Sequence, residues 1–476
     1  MQSPSADHLQ ELRDLYERGL CLQAFKAGQE FGDLITWQPT EARILAGRLA
    51  MNLGAGQLGT RLHLRAYRHD RQSHRARYYF ALALFELRGP LATWDFLADC
   101  DTLPEISPGD RADMCALRAR AAAKLRDFET AELWLKKADD TAPGKAWNSV
   151  ERAGVLAEED RYDEALEVAR LSLKQHFAPW FRPAVQQVAH LLQVLGRDTE
   201  AIKFLEEASA QLESGPVASQ LCALLVENDH FQEAAMTLDR YEQLSPMLDT
   251  AGRQWIAAQR VRLAYLRGEH QQAADLAENI EDPFFKDMAR RLRQESKRSR
   301  VRLNVEFIRQ HHQTCAPATI AALGRFWKMP ADHLAVAQAI CYDGTPIHVQ
   351  RTWATENGWT VREWSVNWDS ARALLDRGVP FLISTVEPAN AHAQAVTGYD
   401  ELRQSLFIRD PYQPFVSEVL AEPFLKRYAS SGPRGMMLMP TTQASIIDDI
   451  ECRRQSCMIT LTSFKPVSRA TIGPRQ

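Results

Sequence analysis

The sequence predicts a multidomain chain: an all-α superhelical solenoid over residues 8–295, an α+β domain over 301–441, and a poorly ordered tail over 442–476. Three observations carry this reading. A short phrase recurs at near-constant spacing through the first part. The pattern breaks at a polar, basic link, Glu295-Ser-Lys-Arg-Ser-Arg300. Beyond the link, helical stretches alternate with short β-rich runs.

The recurring phrase is a turn, a few polar residues, then a small residue near the start of a second helix. It stands at Leu125-Arg-Asp-Phe-Glu-Thr-Ala131, Glu159-Asp-Arg-Tyr-Asp-Glu-Ala165, Leu195-Gly-Arg-Asp-Thr-Glu-Ala201, Asn228-Asp-His-Phe-Gln-Glu-Ala234 and Arg267-Gly-Glu-His-Gln-Gln-Ala273. The alanines are 34, 36, 33 and 39 residues apart. Ala24 and Ala92 extend the series upstream, with Leu58 a 34-residue step from each. Pro104, Pro143 and Pro246 each follow an anchor by 12 residues, and Ala138 and Ala208 by seven. Small residues let paired helices approach closely, and proline ends a unit because it cannot continue a helix. This pattern resembles the tetratricopeptide repeat, a helix-turn-helix unit of about 34 residues. It weakens before residue 90, where Leu58 and Arg65 stand in place of small residues. The resemblance implies stacked helix pairs whose concave face binds a peptide or protein partner. The plainer alternative is a spacer or dimerising scaffold.

Composition excludes several classes. Of 476 residues, 45% are hydrophobic and 25% charged, which are values of globular chains. The net charge of −4, from 57 basic and 61 acidic residues, gives no reason to expect a nucleic-acid or membrane partner. The start has neither the basic nor the apolar segment of a secretory signal, and no apolar run is long enough to span a bilayer. Eight cysteines scattered at 21, 100, 115, 222, 315, 341, 452 and 457 fit free thiols in a reducing, cytoplasmic setting. No cofactor and no metal is expected: His311 and His312 have no second ligand pair at a recognisable spacing, and Cys452 and Cys457 have no nearby histidine.

Chemistry enters at Cys315. It stands immediately before a helix whose apolar face runs through Ile320, Leu323, Gly324 and Trp327, with Pro317 in the first turn. A helix N-terminus favours thiolate over thiol. A lone cysteine is more often a small buried hydrophobe, which is also the expectation for Cys341. Two downstream residues change that balance. His392 begins one strand-like run and Asp410 ends the next, with Gly398-Tyr-Asp-Glu-Leu-Arg-Gln404 between them. Folding this hairpin about residue 402 brings Asp410 within a residue or two of His392. A carboxylate beside an imidazole orients it as a base. Trp359, Trp364 and Trp368 read as packing residues.

Three phrases, Gln310-x-x-x-x-Cys315-Ala-Pro-Ala-Thr, His392-Ala-Gln-Ala-Val-Thr-Gly-Tyr-Asp400 and Ile408-Arg-Asp-Pro411, together with Leu374-Leu-Asp-Arg-Gly-Val-Pro-Phe381, carry a further resemblance. The region from about 303 to 440 resembles the bacteriocin-processing, double-glycine-leader branch of the papain-like cysteine peptidases. That resemblance implies Cys315 as nucleophile, His392 as general base and acid, Asp410 as orienting carboxylate, and an upstream glutamine completing the oxyanion hole. It implies proteolysis of a peptide or protein, with leader processing as the family precedent. Two departures stand out. The family's glutamine position, six before the cysteine, holds Arg309, while Gln310 is five before and Gln313 two before; Ala316 replaces the usual glycine. Gln310 is the favoured oxyanion donor. Acyl transfer to an amine on the same Cys–His–Asp set, and a non-catalytic peptide-binding scaffold, are the rival readings.

Overall fold

In each repeat the second helix starts from the same local recipe. The computed structural model describes residues 4–447 except 179, 295–298, 330, 388 and 389. Helices Phe128–Thr141, Tyr162–Gln175, Asp198–Gln211, Phe231–Leu244 and His270–Glu278 carry the anchor alanine as their fourth residue, and all five alanines are fully buried. Each follows a turn whose second residue is left-handed: Arg126, Asp160, Gly196, Asp229 and Gly268, with φ from 60° to 79°. Glycine and aspartate tolerate that conformation better than bulkier residues do. Antiparallel partners such as Pro108–Lys124, Ala146–Glu158, Arg182–Val194 and Gly215–Glu227 complete the pairs. The result is a tetratricopeptide-like array.

The array does not weaken before residue 90. There the small residues stand one position later than Leu58 and Arg65 suggest. Gly59 is the fourth residue of helix Gly56–His69, with Ala66 fully buried seven on, and Thr93 is the fourth residue of helix Pro90–Phe96. Leu58 and Ala92 are only half-buried. Gly59 is small because its helix crosses Thr40–Asn52 closely: a Cβ there would collide with Met51 and lie 2.7 Å from the Gly47 carbonyl oxygen. Gly59→Val is expected to destabilise the protein by roughly 1–3 kcal/mol through overpacking, read as a lower melting temperature. An unchanged melting temperature would refute the close crossing.

The array's first helices meet its later ones. The Glu213 N–H donates to the Gly19 carbonyl at 2.9 Å, and the Glu213 carboxylate accepts from Gln23 N–H and Nε2 at 2.9 and 3.0 Å. Leu212 packs onto Gly19, and Met247 N–H donates to Leu53 O at 3.0 Å. The concave face is thereby closed into a ring. Inside is a cavity of about 1150 Å³, walled by Tyr16, Tyr79, Glu151, Phe181 and Gln187 among others.

The second part is a seven-stranded antiparallel sheet with helices on both faces. Its strands are β1 (Arg300–Arg302), β2 (Trp359–Ser365), β3 (Phe381–Val386), β4 (Ala391–Asp400), β5 (Ser405–Arg409), β6 (Val416–Leu420) and β7 (Arg434–Pro440). Their order is β2-β7-β3-β4-β5-β6, with β1 also beside β4. Successive residues of β3 face opposite sides. Phe381 and Ile383 join Leu374, Val396, Tyr399 and Met437 on one side, and Leu382 joins Ile320, Leu323 and Ala395 on the other. Trp359 and Trp364 are core residues, one on each side. Cys341 is not a core thiol: it is half-exposed and donates to the Gln313 carbonyl at 3.3 Å. The region after 442 begins in order rather than as a loose tail. A 3-10 helix, Thr441–Ile447, seats Ile447 in the core because the end of β7 still faces it. Residues 448–476, with Cys452 and Cys457, lie outside the described residues.

Array and sheet share an interface. Glu227, last residue of helix Gly215–Glu227, accepts from Arg409 Nη2 at 2.7 Å and Val416 N–H at 3.0 Å, and Arg302 lies 3.4 Å away. Arg302 also reaches Asp229 at 2.7 Å. Leu402, from the β4–β5 turn, is buried among Val261, Tyr265 and Met288 of the last repeats. No helix among the described residues is long and apolar enough to cross a membrane.

Candidate active site

Cys315 opens helix Cys315–Phe326. The first N–H groups of a helix have no intrahelical acceptor. The Ala316 N–H meets the Cys315 sulfur, and Pro317 has no N–H to offer. Thr319 Oγ1 shares its one proton between two carbonyl oxygens, Cys315 O at 2.8 Å and Ala393 O at 3.1 Å. That hydroxyl ties the first turn of the helix to β4 one residue past His392. Gly324, farther along, is required by the following loop: a Cβ would sit 2.7 Å from the Met329 carbonyl.

The β4–β5 hairpin brings histidine and aspartate together. Ala395 pairs with Arg409 and Val396 with Ile408, and a bulge at Thr397 shifts the register by one before Gly398 pairs with Phe407. Continuing the outer register puts His392 level with Tyr412. Asp410, just past β5, turns back so that His392 Nε2 meets its Oδ1 at 2.8 Å. The Tyr412 N–H donates to the same oxygen at 2.8 Å. With Nε2 committed to Asp410, Nδ1 is the ring nitrogen left for the Cys315 sulfur, with which the imidazole hydrogen-bonds.

Electrostatics follow from these contacts. Burial pushes the Cys315 thiol up, but the His392 hydrogen bond, the Ala393 and Ala316 N–H groups and the imidazolium charge together bring it below an ordinary thiol. Burial pushes His392 down, but Asp410 and Cys315 more than reverse this and raise it to about 9. Burial likewise opposes ionisation of Asp410, yet the imidazole, the Tyr412 N–H and Arg309 hold it below the usual carboxylate range. Both shifts act in the direction of thiolate and imidazolium rather than thiol and imidazole.

Gln310 sits in the loop before the helix. Its N–H donates to the Pro411 carbonyl at 2.9 Å, which places it beside the Asp410 corner. Its side-chain Oε1 is buried without a hydrogen-bond donor. Arg309 does not occupy an oxyanion position. Its guanidinium donates to Tyr412 O and to Tyr162 Oη at 3.3 Å, and stacks 4.4 Å from the Tyr412 ring centroid. His311 and the His312 backbone lie against the array: His312 N–H donates to Asp160 Oδ2 at 3.4 Å, and His311 Nδ1 lies 3.9 Å from the same oxygen.

Residues 302–436 match the Peptidase_C39 like family. This C39-like domain thus contains Cys315, His392 and Asp410. Among solved structures, the chain is 18% identical to the peptidase domain of Streptococcus ComA, a bifunctional ABC transporter involved in quorum sensing. That match covers 29% of this chain and 99% of that one, at a TM-score of 0.25. Over the array it is 17% identical to Pseudomonas aeruginosa PilF, covering 44% of this chain and 90% of that one, at a TM-score of 0.33. Against yeast Tom70 the identity is 16%, covering 55% and 53%, at a TM-score of 0.35. No curated protein matches the chain.

Four contributors around the C39-like site escape a reading of the sequence. The Ala393 N–H touches the sulfur only because the helix docks against β4. His333 Nε2 meets Thr314 Oγ1 at 2.8 Å, with burial and then neighbouring His311 pushing the imidazole down to about 4. Asp160 and Tyr162 arrive from a repeat turn about 150 residues upstream in the chain. For Asp160 a signal existed: it and Asp229 are the two aspartates among the left-handed turn residues, and both reach into the C39-like domain.

Proposed function

We propose that this chain is a cysteine peptidase whose helical-repeat array binds the peptide or protein to be cut. The observation that carries the reading is the Cys315–His392–Asp410 set. A thiol below its ordinary range hydrogen-bonds an imidazole raised to about 9, which is oriented by a carboxylate at 2.8 Å. In this reading the Cys315 thiolate attacks the scissile carbonyl carbon. The C–S bond forms and the carbonyl electron pair moves to oxygen. The Cys315 N–H, which has no acceptor among the described residues, and the Gln310 amide receive that oxyanion. The His392 imidazolium then protonates the leaving amine. As a neutral base it takes a proton from water, whose oxygen releases the acid from the acyl-enzyme.

The ring supports the binding half. The lumen of about 1150 Å³ shares Met51, Asn52, Gln186 and His190 with a second cavity of about 520 Å³ that reaches Phe415, in the loop after Asp410. Neither cavity includes Cys315. Their walls hold buried polar atoms without partners, among them Asn52 Oδ1, Trp147 Nε1, Gln187 Oε1 and Gln220 Oε1. The backbone of an extended chain supplies both donors and acceptors for polar side chains such as these.

Incubation with a peptide library containing Gly-Gly sequences, read by mass spectrometry, tests this. The wild type is expected to give products that have gained water, and Cys315→Ala none. Activity should fall as pH rises through about 9, where His392 loses the proton that the leaving amine needs. Cleavage by Cys315→Ala would sink the mechanism, and products gaining an amine would convert it to acyl transfer.

A further inference from the structure

The loop that carries Gln310 is held by the array as well as by the C39-like domain. On the domain side, Gln310 N–H bonds Pro411 O, and Arg309 bonds Tyr412 O. On the array side the partner is one turn, residues 159–162, between helices Ala146–Glu158 and Tyr162–Gln175. Tyr162 Oη accepts from Arg309 Nε at 3.3 Å and donates to Asp160 Oδ1 at 3.0 Å. Asp160 Oδ2 accepts from His312 N–H at 3.4 Å, with His311 Nδ1 at 3.9 Å. The Tyr162 ring stands edge-on to His311, centroids 6.1 Å apart. The residues before and after Gln310 are therefore both gripped by the same turn.

The far end of the loop is tied within the domain, by His311 N–H to Thr314 Oγ1 at 2.9 Å, Thr314 N–H to His311 O at 3.2 Å and Cys341 to Gln313 O at 3.3 Å, but none of these bonds holds the Gln310 side chain. Gln313 is left-handed, with φ of 60°, and the Gln310 side-chain carbonyl has no donor. Asp160 is left-handed too, at φ of 65°, in a slot where two of the four sister turns carry glycine. Aspartate there supplies a carboxylate that glycine lacks, and it is directed at the loop.

We propose that Asp160 and Tyr162 are positioning residues of the active site, holding loop 309–312 so that the Gln310 amide is aimed at the oxyanion. The C39-like domain's oxyanion pocket is then completed by the repeat array. This rests on the reading of Cys315 as nucleophile and Gln310 as oxyanion donor.

Two probes separate positioning from general damage. Acetyl-glycyl-glycinal, an aldehyde with no side chain to exclude, forms a hemithioacetal with Cys315. Its sulfur adds to the carbonyl carbon, and the resulting oxyanion sits where Gln310 acts before taking the imidazolium proton. Iodoacetamide alkylates the same sulfur by displacing iodide and forms no oxyanion. Affinity for the aldehyde and the rate of alkylation at Cys315 are measured in the full chain for the wild type, Asp160→Gly/Tyr162→Phe, Gln310→Ala and the triple variant. Glycine suits the left-handed slot, and phenylalanine removes only the hydroxyl. The double variant is expected to lose roughly tenfold in aldehyde affinity, with its alkylation rate within about twofold of wild type. Gln310→Ala should lose at least as much affinity, and the triple variant no more than Gln310→Ala alone. Undiminished aldehyde affinity in the double variant, alongside a loss in Gln310→Ala, would overturn the positioning role while leaving the peptidase reading intact. Equal losses of affinity and alkylation would overturn it as well, since that is what general distortion does. No loss in Gln310→Ala, or no adduct with the wild type, would remove the site on which the proposal stands.

Discussion

At pH 6, Cys315 should be alkylated by iodoacetamide some 10–100 times faster in the wild type than in His392→Ala. An ordinary thiol, with pKa about 8.5, is roughly 0.3% thiolate at that pH, which leaves up to about 300-fold to gain from ion pairing. Part of the gain is returned because a more acidic thiol gives a less nucleophilic thiolate. Peptide mass spectrometry isolates the site from the other cysteines. Cys21 and Cys222, pushed up to about 11 by burial, should hardly react, and half-exposed Cys341 serves as the internal reference. Asp410→Asn should fall between the two proteins, because the imidazole loses the charge that raises it but keeps its Cys315 contact. If Cys315 reacts no faster than Cys341 in all three proteins, the thiolate–imidazolium pair does not exist, and a peptide-binding scaffold becomes the better account.

The largest structural effect is expected at Glu227. Its carboxylate is about one-tenth exposed and takes Arg409, the Val416 N–H and a nearby Arg302 at once. Removing one partner of a buried, hydrogen-bonded pair costs about 3–5 kcal/mol, because the remaining charge stays buried and unmatched. Arg409 is itself about one-tenth exposed and would be that charge. Glu227→Ala should therefore separate array from domain. Each has its own apolar core, so urea unfolding followed by tryptophan fluorescence should split into two transitions. A single transition with an unchanged midpoint would show that Leu402 and its apolar neighbours hold the interface without the ion pairs.

Much of the architecture was legible because it is set locally. A small residue at a fixed distance from a turn marks a helix crossing, and Ala131, Ala165, Ala201, Ala234 and Ala273 all sit at one. Upstream, the repeat spacing admits either Leu58 or Gly59, and only the contact with Gly47 and Met51 decides between them. Strands rich in β-branched and aromatic residues, such as β2, β3 and β5, stand out in the sequence. β7 does not: Arg434-Gly-Met-Met-Leu-Met-Pro440 has no β-branched residue, and methionine fills core space in either kind of element. In the candidate site, the hairpin arithmetic that puts Asp410 near His392 needs only strand lengths and a turn. The grip of Asp160 and Tyr162 on the Gln310 loop needs the accumulated rotation of every intervening repeat, which no local pattern encodes.

The closure of the ring alters what kind of solenoid this is. A linear repeat array is held by nearest-neighbour contacts alone, so it frays inward from whichever end is weaker. Here the bond from Glu213 to Gly19, the packing of Leu212 and the bond from Met247 to Leu53 give the first helices neighbours on both sides. The other end is capped by Leu402. A spring has become a hoop: it resists unwinding from its tips, and a chain that passes right through its lumen has to be threaded by an end or admitted by breaking the seam at Gly19. A folded protein meets that requirement only where it offers a loose terminus.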